Sequence, residues 1–315
     1  MRAFLGIDVG SISTNLVLID INNQVLSSLY LRTQGNPIRA VQQGLKELRN
    51  QIPKNTEIIG VGATGSARYL AGVIIGADLI KNEITTHAKG ASFFVPGVRT
   101  VIEIGGQDSK IIILENGVVV DFAMSLICAA GTGAFLDAQA NRLKIPIEEF
   151  GAISLKSVKP TYISGRCTVF SESDMIHKQQ IGHSIEDIAA GLCHSLVRNY
   201  FSAVAKGKNI SGPIVFQGGV SENLGMRKAF ELALGQKIIV PPHNTVIGAF
   251  GAALLVKEKM PEKTKFLGFE ISDKDIKCAS FQCAGCPNQC EVIETRIDKK
   301  IVSRWGDRCG KWSAV

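Results

Sequence analysis

The pattern of apolar and polar residues predicts that the chain opens with three short strands. Apolar runs at 3–9, 14–20 and 24–32 are separated by a glycine-serine turn and by an asparagine turn, which is typical of an antiparallel meander. The same plan recurs at 100–124, with a glycine pair at its first turn. A repeat of this kind predicts an internally duplicated α/β fold whose two domains face each other across a cleft.

Helical periodicity between the strands predicts helices, which lie at 36–50, 82–94, 131–144, 173–179, 184–207 and 244–253. A buried strand at 213–217 is followed by a glycine pair and by Ser221, which we expect to cap a helix ending at Leu234. These elements predict two subdomains and a tail. The first subdomain is 1–94, completed by a helix at 244–260, the second is 95–243, and a cysteine-rich tail is 261–315.

The first turn of each meander combines glycine with a carboxylate. In the first turn, Gly10 lets backbone amides approach a phosphate, and Asp8 can hold a hydrated magnesium ion or orient a water molecule. Alone this signal is weak, since hairpin turns use the same residues. The second turn, with Asp108 after a glycine pair, strengthens it, and together the turns predict a nucleotide site. Glycines at the end of the 213–217 strand suit an adenosine ring.

Two cysteines lie immediately before predicted helices. Cys128 precedes a small-residue turn that opens one helix, and Cys167 stands in the same kind of setting. The unpaired amides and dipole of a helix N-terminus favour an anionic thiolate. Two thiolates are too few for a complete metal site, which normally takes about four, but a homodimer axis would supply four. On spacing alone, the alternative of two ordinary buried cysteines stays open.

Charge and composition narrow the classes of function. The 35 basic and 28 acidic residues give a net charge of +7, but they are dispersed, so we expect no nucleic-acid partner. No apolar run reaches the ~18 residues of a membrane span, and the first residues are typical of a strand rather than of a signal peptide. We therefore expect a cytosolic (cytoplasmic) protein with no membrane partner. In that compartment its eight cysteines favour metal or redox ligands over disulfides.

The tail contains five of the eight cysteines. Four of them have the spacing of a metal site, and a fifth, Cys309, follows; the four are Cys278, Cys283, Cys286 and Cys290. Zinc and a second iron-sulfur cluster are both consistent with this spacing. Redox-active or unliganded cysteines are the alternative.

From Gly6 to about Val256 the chain resembles the superfamily of acetate kinases, sugar kinases, heat-shock chaperones and actin. Within it, the chain is most similar to the BadF/BadG/BcrA/BcrD-type ATPases, specifically to the activator component of 2-hydroxyacyl-CoA dehydratases. Sugar kinases share the turns but not the two cysteine segments, so the resemblance is specific. Its motifs are Gly6-Ile-Asp8-Val-Gly10-Ser11, Ile104-Gly105-Gly106-Gln107-Asp108-Ser109-Lys110, Cys128-Ala-Ala-Gly131-Thr132-Gly133, Cys167-Thr-Val-Phe-Ser-Glu172-Ser, Gly218-Gly219-Val220 and 241–253.

The resemblance implies an actin-like ATPase fold that binds ATP and Mg²⁺. It also implies a homodimer that holds one 4Fe-4S cluster through Cys128 and Cys167 of each subunit. Asp8 or Asp108 would orient the attacking water, and Gly218 and Gly219 would contact the adenosine. Phosphate and magnesium would be bound by Asp8, Gly10, Ser11, Thr14, Gly105, Gly106, Gln107, Asp108 and Ser109.

The implied activity is electron transfer at very low potential, gated by ATP hydrolysis. Ferredoxin or flavodoxin would supply the electron, and an iron-sulfur dehydratase or reductase would accept it. Asn15 departs from the family pattern, because many relatives have lysine there, which puts the rate of hydrolysis in doubt. Tails like this one occur in longer activase-like fusion proteins, so the partner could be a reductase other than a dehydratase.

Two other functions stay open from the sequence. The chain could be a small-molecule kinase, such as an amino-sugar kinase of the same superfamily, which would need no cluster. It could also be a non-catalytic nucleotide sensor with a zinc-binding tail. Iron content separates the first alternative from the activator, and nucleotide turnover separates the second.

Overall fold

The computed structural model describes residues 1–125 and 129–313. The strands in this part of the chain are β1 (Arg2–Val9), β2 (Ser13–Asp20), β3 (Val25–Arg32), β4 (Glu57–Thr64), β5 (Leu79–Ile80), β6 (Thr100–Ile104), β7 (Ser109–Glu115), β8 (Val118–Ser125), β9 (Ile214–Gln217), β10 (Ile276–Gln282), β11 (Glu291–Ile297) and β12 (Lys300–Trp305). The α-helices are α1 (Pro37–Gln51), α2 (Arg68–Ile75), α3 (Glu83–Phe94), α4 (Gly133–Leu143), α5 (Ile147–Ser154), α6 (Thr168–Gln180), α7 (Ile185–Ala203), α8 (Leu224–Leu234) and α9 (Ile247–Lys259). No described helix is both long and apolar enough to cross a membrane.

The described chain forms two compact units, one of Met1–Thr86 with Gly248–Val315 and one of His87–Ile247. The first contains a sheet in the order β3-β2-β1-β4-β5, and the second a sheet in the order β8-β7-β6-β9. In both sheets an antiparallel meander is joined by a parallel strand at its first strand. The repeated strand order confirms the duplicated α/β fold, whereas the predicted subdomain limits stay a prediction.

The core of the first unit follows from its local patterns. The strand β1 is buried at all positions but the first, as expected for a strand covered on both faces. The helix α1 begins with Pro37 after Asn36, whose side chain accepts a hydrogen bond from the Arg39 amide at 3.0 Å. It buries Val41, Leu45 and Leu48, a stripe at helical spacing that faces the sheet.

The core of the second unit centres on α7. This 19-residue helix buries an almost continuous run from Ile188 to Leu196, so it is covered nearly all round. Its Tyr200 packs edge-on against Phe230, with ring centroids 5.3 Å apart. The Tyr200 hydroxyl donates to the carbonyl of Lys110 at 2.8 Å. That bond fixes α7 against the strand β7.

The helix α9 packs on the first sheet at two glycines. Gly6 of β1 and Gly62 of β4 are paired in the parallel ladder. A Cβ built on Gly6 would overlap the carbonyl oxygen of Ala249, and one built on Gly62 would overlap that of Ala252. The backbone of α9 therefore lies directly on the sheet, which glycine alone permits.

Two helix starts differ from the sequence prediction. The Ser221 hydroxyl does not cap α8 but donates to the Gly218 carbonyl at 2.7 Å. Asn223 caps α8 instead, accepting from the Met226 amide at 3.0 Å, because a 3-10 turn occupies Gly219–Glu222. The helix α6 begins at Thr168, directly after Cys167 and earlier than the 173–179 prediction.

The tail forms a sheet of its own in the order β10-β11-β12. Ile271 and Ile276 join the hydrophobic core of the first unit. Ion pairs at 2.7 Å between Lys46 and Asp273 and at 3.2 Å between Arg49 and Glu270 lie nearby, on α1. Because both ion pairs are exposed, each contributes little to stability, and the buried isoleucines hold the tail in place.

We expect Gly6→Ala to lower the free energy of unfolding by about 3 kcal/mol, because the new Cβ overpacks a backbone contact. Gly35→Ala is the control, since a Cβ there meets nothing within 4 Å and only the positive φ of 70° opposes it. That control should lose about 1 kcal/mol. Urea unfolding of both variants measures the difference, and equal losses would contradict the close packing of α9.

Candidate functional site

The first glycine turn, between β1 and β2, is tightly braced. The Gly10 amide donates to the Ser13 carbonyl at 2.8 Å. The Thr33 hydroxyl donates to the Gly10 carbonyl at 2.9 Å and meets the hydroxyl of Thr14 at 3.0 Å. Asp8, the penultimate residue of β1, is nearly buried at 8% exposure, while Ser11 is exposed at the turn. The turn therefore has one fixed shape with a carboxylate at its base.

The second glycine turn, between β6 and β7, contains a buried charge cluster. The Lys110 ammonium lies 2.8 Å from a Glu103 carboxylate oxygen and 2.7 Å from one of Asp108. The side chains of Lys110 and Glu103 are almost fully buried, whereas that of Asp108 is 27% exposed. The Gly105 amide donates to the Asp108 carbonyl at 3.0 Å. Lys110 thus fixes the Asp108 carboxylate at the accessible rim of the turn.

A buried polar atom next to each turn has no hydrogen-bond partner in the described part of the chain. These atoms are the Asn15 carbonyl oxygen Oδ1 on β2 and the Ser109 hydroxyl on β7. Orphaned polar atoms are rare in folded proteins and often indicate a bound ligand or water. Each atom therefore fits a polar ligand or water at its own turn.

The third glycine segment follows β9 in the second unit. Gly218 has a φ of 87°, and a Cβ there would lie 2.7 Å from a Glu103 carboxylate oxygen. Its amide donates to the Asn244 carbonyl at 2.9 Å. The structure thus places Gly218 beside the charge cluster of the second turn, a contact between segments that are distant in sequence.

Cys167 is the N-cap residue of α6. It is half-buried, and its thiol makes no capping hydrogen bond. The segment before it is held by α7, where the Ser195 hydroxyl donates to the Ser164 carbonyl at 2.6 Å. The Asn199 side-chain amide donates to the Gly165 carbonyl at 2.7 Å. Sequence reasoning missed this contribution of α7, because asparagine and serine on a helix give no distinctive signal.

Cys128 lies outside the described residues, but the helix that follows it is attached to the second glycine turn. The Gly133 amide donates to the Gly105 carbonyl at 2.9 Å, and the Ala134 amide to the Gly106 carbonyl at 2.8 Å. A Cβ on Gly133 would lie 3.0 Å from the Gly105 carbonyl oxygen. Glycine at 133 thus allows the first turn of α4 to close on the loop.

In the tail, the four predicted ligands do not converge. Among the described residues no group of three or more His, Cys, Asp or Glu side chains is arranged to hold a metal ion. Cys278 is exposed and contacts the Thr295 hydroxyl at 3.4 Å. Cys283 is buried, and its sulfur accepts a hydrogen bond from the Trp312 indole at 3.2 Å. That hydrogen bond, with another from the Gly285 amide, lowers the pKa of the Cys283 thiol.

His87, on α3, is a buried titratable group of the second unit. Its Nδ1 lies 2.9 Å from the Gln217 side-chain amide nitrogen. Burial, with the charge of Lys110 as a smaller cause, lowers the pKa of His87 from 6.5 to about 3. His87 is therefore neutral at physiological pH and accepts the hydrogen bond through Nδ1.

We expect the stability to depend on pH through His87. Its pKa is lower in the folded chain, so the unfolded chain binds the proton first as pH falls. The contribution of neutral His87 to the free energy of unfolding is fully present above pH 6.5. It decreases between pH 6.5 and about 3 by about 1.4 kcal/mol per pH unit. His87→Gln should remove this slope in urea unfolding, whereas His177→Gln, at an exposed imidazole on α6, should keep it. Equal slopes in the two variants would contradict the assignment.

Known proteins of similar sequence cover most of the chain. The (R)-2-hydroxyglutaryl-CoA dehydratase activating ATPase of Acidaminococcus fermentans is 38% identical over 259 residues, 81% of this chain and 97% of that protein. The 2-hydroxyisocaproyl-CoA dehydratase activator of Clostridioides difficile is 33% identical over 267 residues, 83% of this chain and 97% of that protein.

The fold agrees with these similarities. The solved structure of the activator of the 2-hydroxyisocaproyl-CoA dehydratase from Clostridium difficile with bound ADPNP has a TM-score of 0.76 and 33% identity. The superposition covers 82% of this chain and 95% of that activator, and it confirms the actin-like ATPase fold. A model of the BadF/BadG/BcrA/BcrD ATPase family matches residues 5–256 and ends before the tail. The chain belongs to the BadF/BadG/BcrA/BcrD ATPase family.

Proposed function

We propose that this protein is an ATP-dependent activator that drives electrons at low potential into an iron-sulfur partner enzyme. The partner is a 2-hydroxyacyl-CoA dehydratase or a related reductase, and the electron leaves a 4Fe-4S cluster shared by two copies of the chain. Relatives named as dehydratase activators support this function. The observation that carries it is the pair of hydrogen bonds between the second glycine turn and α4, the helix that follows Cys128.

ATP with Mg²⁺ is the proposed nucleotide. The ADPNP bound to the Clostridium difficile activator supports a nucleotide site in this fold. We assign Asp8 and Asp108 to the magnesium ion and the attacking water, with both roles open to either carboxylate. The phosphates would contact Gly10, Ser11, Thr14, Gly105, Gly106, Gln107 and Ser109, and the adenosine would contact Gly218 and Gly219. The orphaned hydroxyl of Ser109 fits a ligand at this turn.

Cys167 fits a cluster ligand in its chemistry and position. A half-buried thiol at a helix N-terminus, without a capping hydrogen bond, offers a sulfur to a metal. When bound, a 4Fe-4S cluster supplies one-electron chemistry at low potential. We assign Cys128 as the second ligand of each chain from its motif.

A homodimer would complete the ligand set with two cysteines from each chain. Exposed apolar side chains flank both cysteine segments and support such an association. Val169 and Phe170, directly after Cys167, are 66% and 65% exposed. On β8, which leads toward Cys128, Val120 and Phe122 are half exposed. Apolar residues grouped in this way are typical of a surface that another chain covers.

The coupling step follows from the bonds within the second unit. A change at the Gly105-Gly106 turn moves the carbonyls that hold the first amides of α4, and so alters the segment after Cys128. The side chain of Asn199 lies between the two cysteine segments. A Cβ on Gly131 would lie 2.7 Å from its Oδ1 oxygen, and its Nδ2 nitrogen donates to the Gly165 carbonyl. Nucleotide turnover thereby changes the environment of the cysteines, and ferredoxin or flavodoxin supplies the electron in the cytoplasm.

We expect anaerobically purified wild-type protein to contain iron and sulfide and to hydrolyse ATP. Cys167→Ser and Cys128→Ala should lose the iron and keep ATP binding, because neither cysteine is among the proposed nucleotide contacts. Asp108→Asn should keep the iron and lose at least about tenfold in hydrolysis, an effect of about 1.4 kcal/mol. Iron and sulfide assays with ATP titration and phosphate release measure these outcomes.

The opposite pattern would contradict the proposal. Iron retained in both cysteine variants would exclude these ligands. Phosphoryl transfer to an amino sugar by iron-free protein would indicate a kinase, and nucleotide binding without turnover would indicate a sensor.

We expect Asn199→Ala to uncouple hydrolysis from electron transfer. Loss of its hydrogen bond to Gly165 releases the segment before Cys167, at a cost of about 1.4 kcal/mol, which corresponds to roughly tenfold. The number of ATP molecules hydrolysed per electron delivered should rise by about that factor, with the ATPase rate little changed. Ser202→Ala, on the same helix but exposed, is the control. An unchanged ratio in Asn199→Ala would exclude a positioning role.

A further inference from the structure

The hairpin between β10 and β11 brings two tail cysteines face to face. Gln282 pairs with Glu291 at the end of the ladder, and the Cys283 amide then donates to the Cys290 carbonyl at 2.9 Å. Cys283 and Cys290 are therefore the next cross-strand pair, with Cα atoms about 5.5 Å apart and side chains on one face. Cys286 lies in the loop that this pair closes.

The C-terminal turn folds back onto the same end of the sheet. The Trp312 ring packs edge-on against Phe281 with centroids 5.0 Å apart, and its indole donates to Cys283. Asp307 holds the turn by accepting from the Trp312 amide at 3.0 Å. Cys309 belongs to this turn. The turn therefore brings a fourth cysteine, 19 residues after Cys290 in the sequence, to the end of the sheet that carries the hairpin loop.

The Cys283 sulfur is surrounded by donors. It accepts from the Gly285 amide at 3.4 Å and from the Trp312 indole at 3.2 Å. A Cβ on Gly285 would lie 3.4 Å from this sulfur and 3.3 Å from the Lys311 ammonium, so the ammonium is close as well. A neutral thiol is a weak acceptor. Amide hydrogen bonds to the first sulfur of a Cys-x2-Cys loop are those that stabilise a metal-bound thiolate.

Cys278 lies apart from this group. It is opposite Thr295 in the ladder and contacts that side chain. Cys283 is five positions after Cys278, an odd number, so their side chains face opposite sides of the strand and lie about 16 Å apart along it. Two thiolates on one zinc ion, each about 2.3 Å from the metal, lie within about 5 Å of each other. Cys278 is therefore too far from Cys283 to bind the same ion.

We propose that the tail binds a zinc ion through Cys283, Cys286, Cys290 and Cys309, and that Cys278 is not a ligand. Cys286 and Cys309 are exposed and lie in turns, so closing the site requires movement of those turns toward Cys283 and Cys290. Binding converts four thiols to thiolates and releases their protons to solvent, with no change in oxidation state. A closed set of four thiolates is typical of a structural zinc site. The site lies outside the family match and does not depend on the proposed function.

The test measures zinc, iron and sulfide per chain in the full-length protein, purified anaerobically. We expect wild type and Cys278→Ser to contain zinc, and Cys286→Ser and Cys309→Ser to lose it. Cys309→His should retain zinc, because imidazole also ligates this metal, which separates loss of a ligand from loss of folding. Wild type stripped with a chelator should take up zinc again in a competitive titration with Zn²⁺ alone.

Three results would overturn the proposal. The first is zinc that persists in Cys309→Ser, and the second is zinc that is lost from Cys278→Ser. The third is a wild-type tail that contains iron and sulfide in place of zinc, with this iron lost in Cys309→Ser. Tail variants should leave the iron assigned to Cys128 and Cys167 unchanged. Failure of the activator function would remove iron or ATP turnover but not zinc, so the two failures are distinguishable.

Discussion

The attachment of α4 to the second glycine turn is the constraint on which the proposed coupling depends. The first amides of a helix have no partners within it, and here the carbonyls of Gly105 and Gly106 satisfy two of them. Separating loop and helix would leave these amides unpaired, at a cost of about 1–3 kcal/mol each. That cost is several times the thermal energy, so the loop and α4 move together. A nucleotide that shifts the loop therefore shifts the helix that follows Cys128.

The buried charges of the second unit make this region rigid. The Lys110 ammonium pairs with two carboxylates, those of Glu103 and Asp108, and its removal would leave the buried Glu103 carboxylate without this ion pair, which is costly. The backbone carbonyl of Lys110 also accepts the Tyr200 hydroxyl. Since α7 holds Gly165 through Asn199, one helix is bonded both to the strand after the second glycine turn and to the segment before Cys167. The Asn199 side chain also lies against Gly131, so α7 contacts the segment after Cys128 as well as the segment before Cys167.

The features predicted correctly from the sequence are those that depend on neighbouring residues. Apolar alternation and turn residues are properties of neighbouring residues, and they were sufficient for both meanders and for the duplication. The contact between Asn199 and Gly165 spans 34 residues, and an asparagine on a helix is usually solvated, so no local signal revealed it. Ser221 and Asn223 are both good cap residues, and only the 3-10 turn before α8 decided between them. Which of the predicted site residues bind nucleotide stays a prediction.

The tail shows why spacing alone is an incomplete guide to a metal site. The first four tail cysteines have a closely spaced pattern, but the alternation of a strand separates Cys278 from Cys283. Cys309 lies in a turn braced by Asp307, and the Trp312 of that turn donates to Cys283. Zinc has no redox chemistry, so a zinc tail would not compete for electrons with a cluster held by the second unit. It would stabilise a sheet of only three strands, and so hold this part of the first unit in a fixed shape.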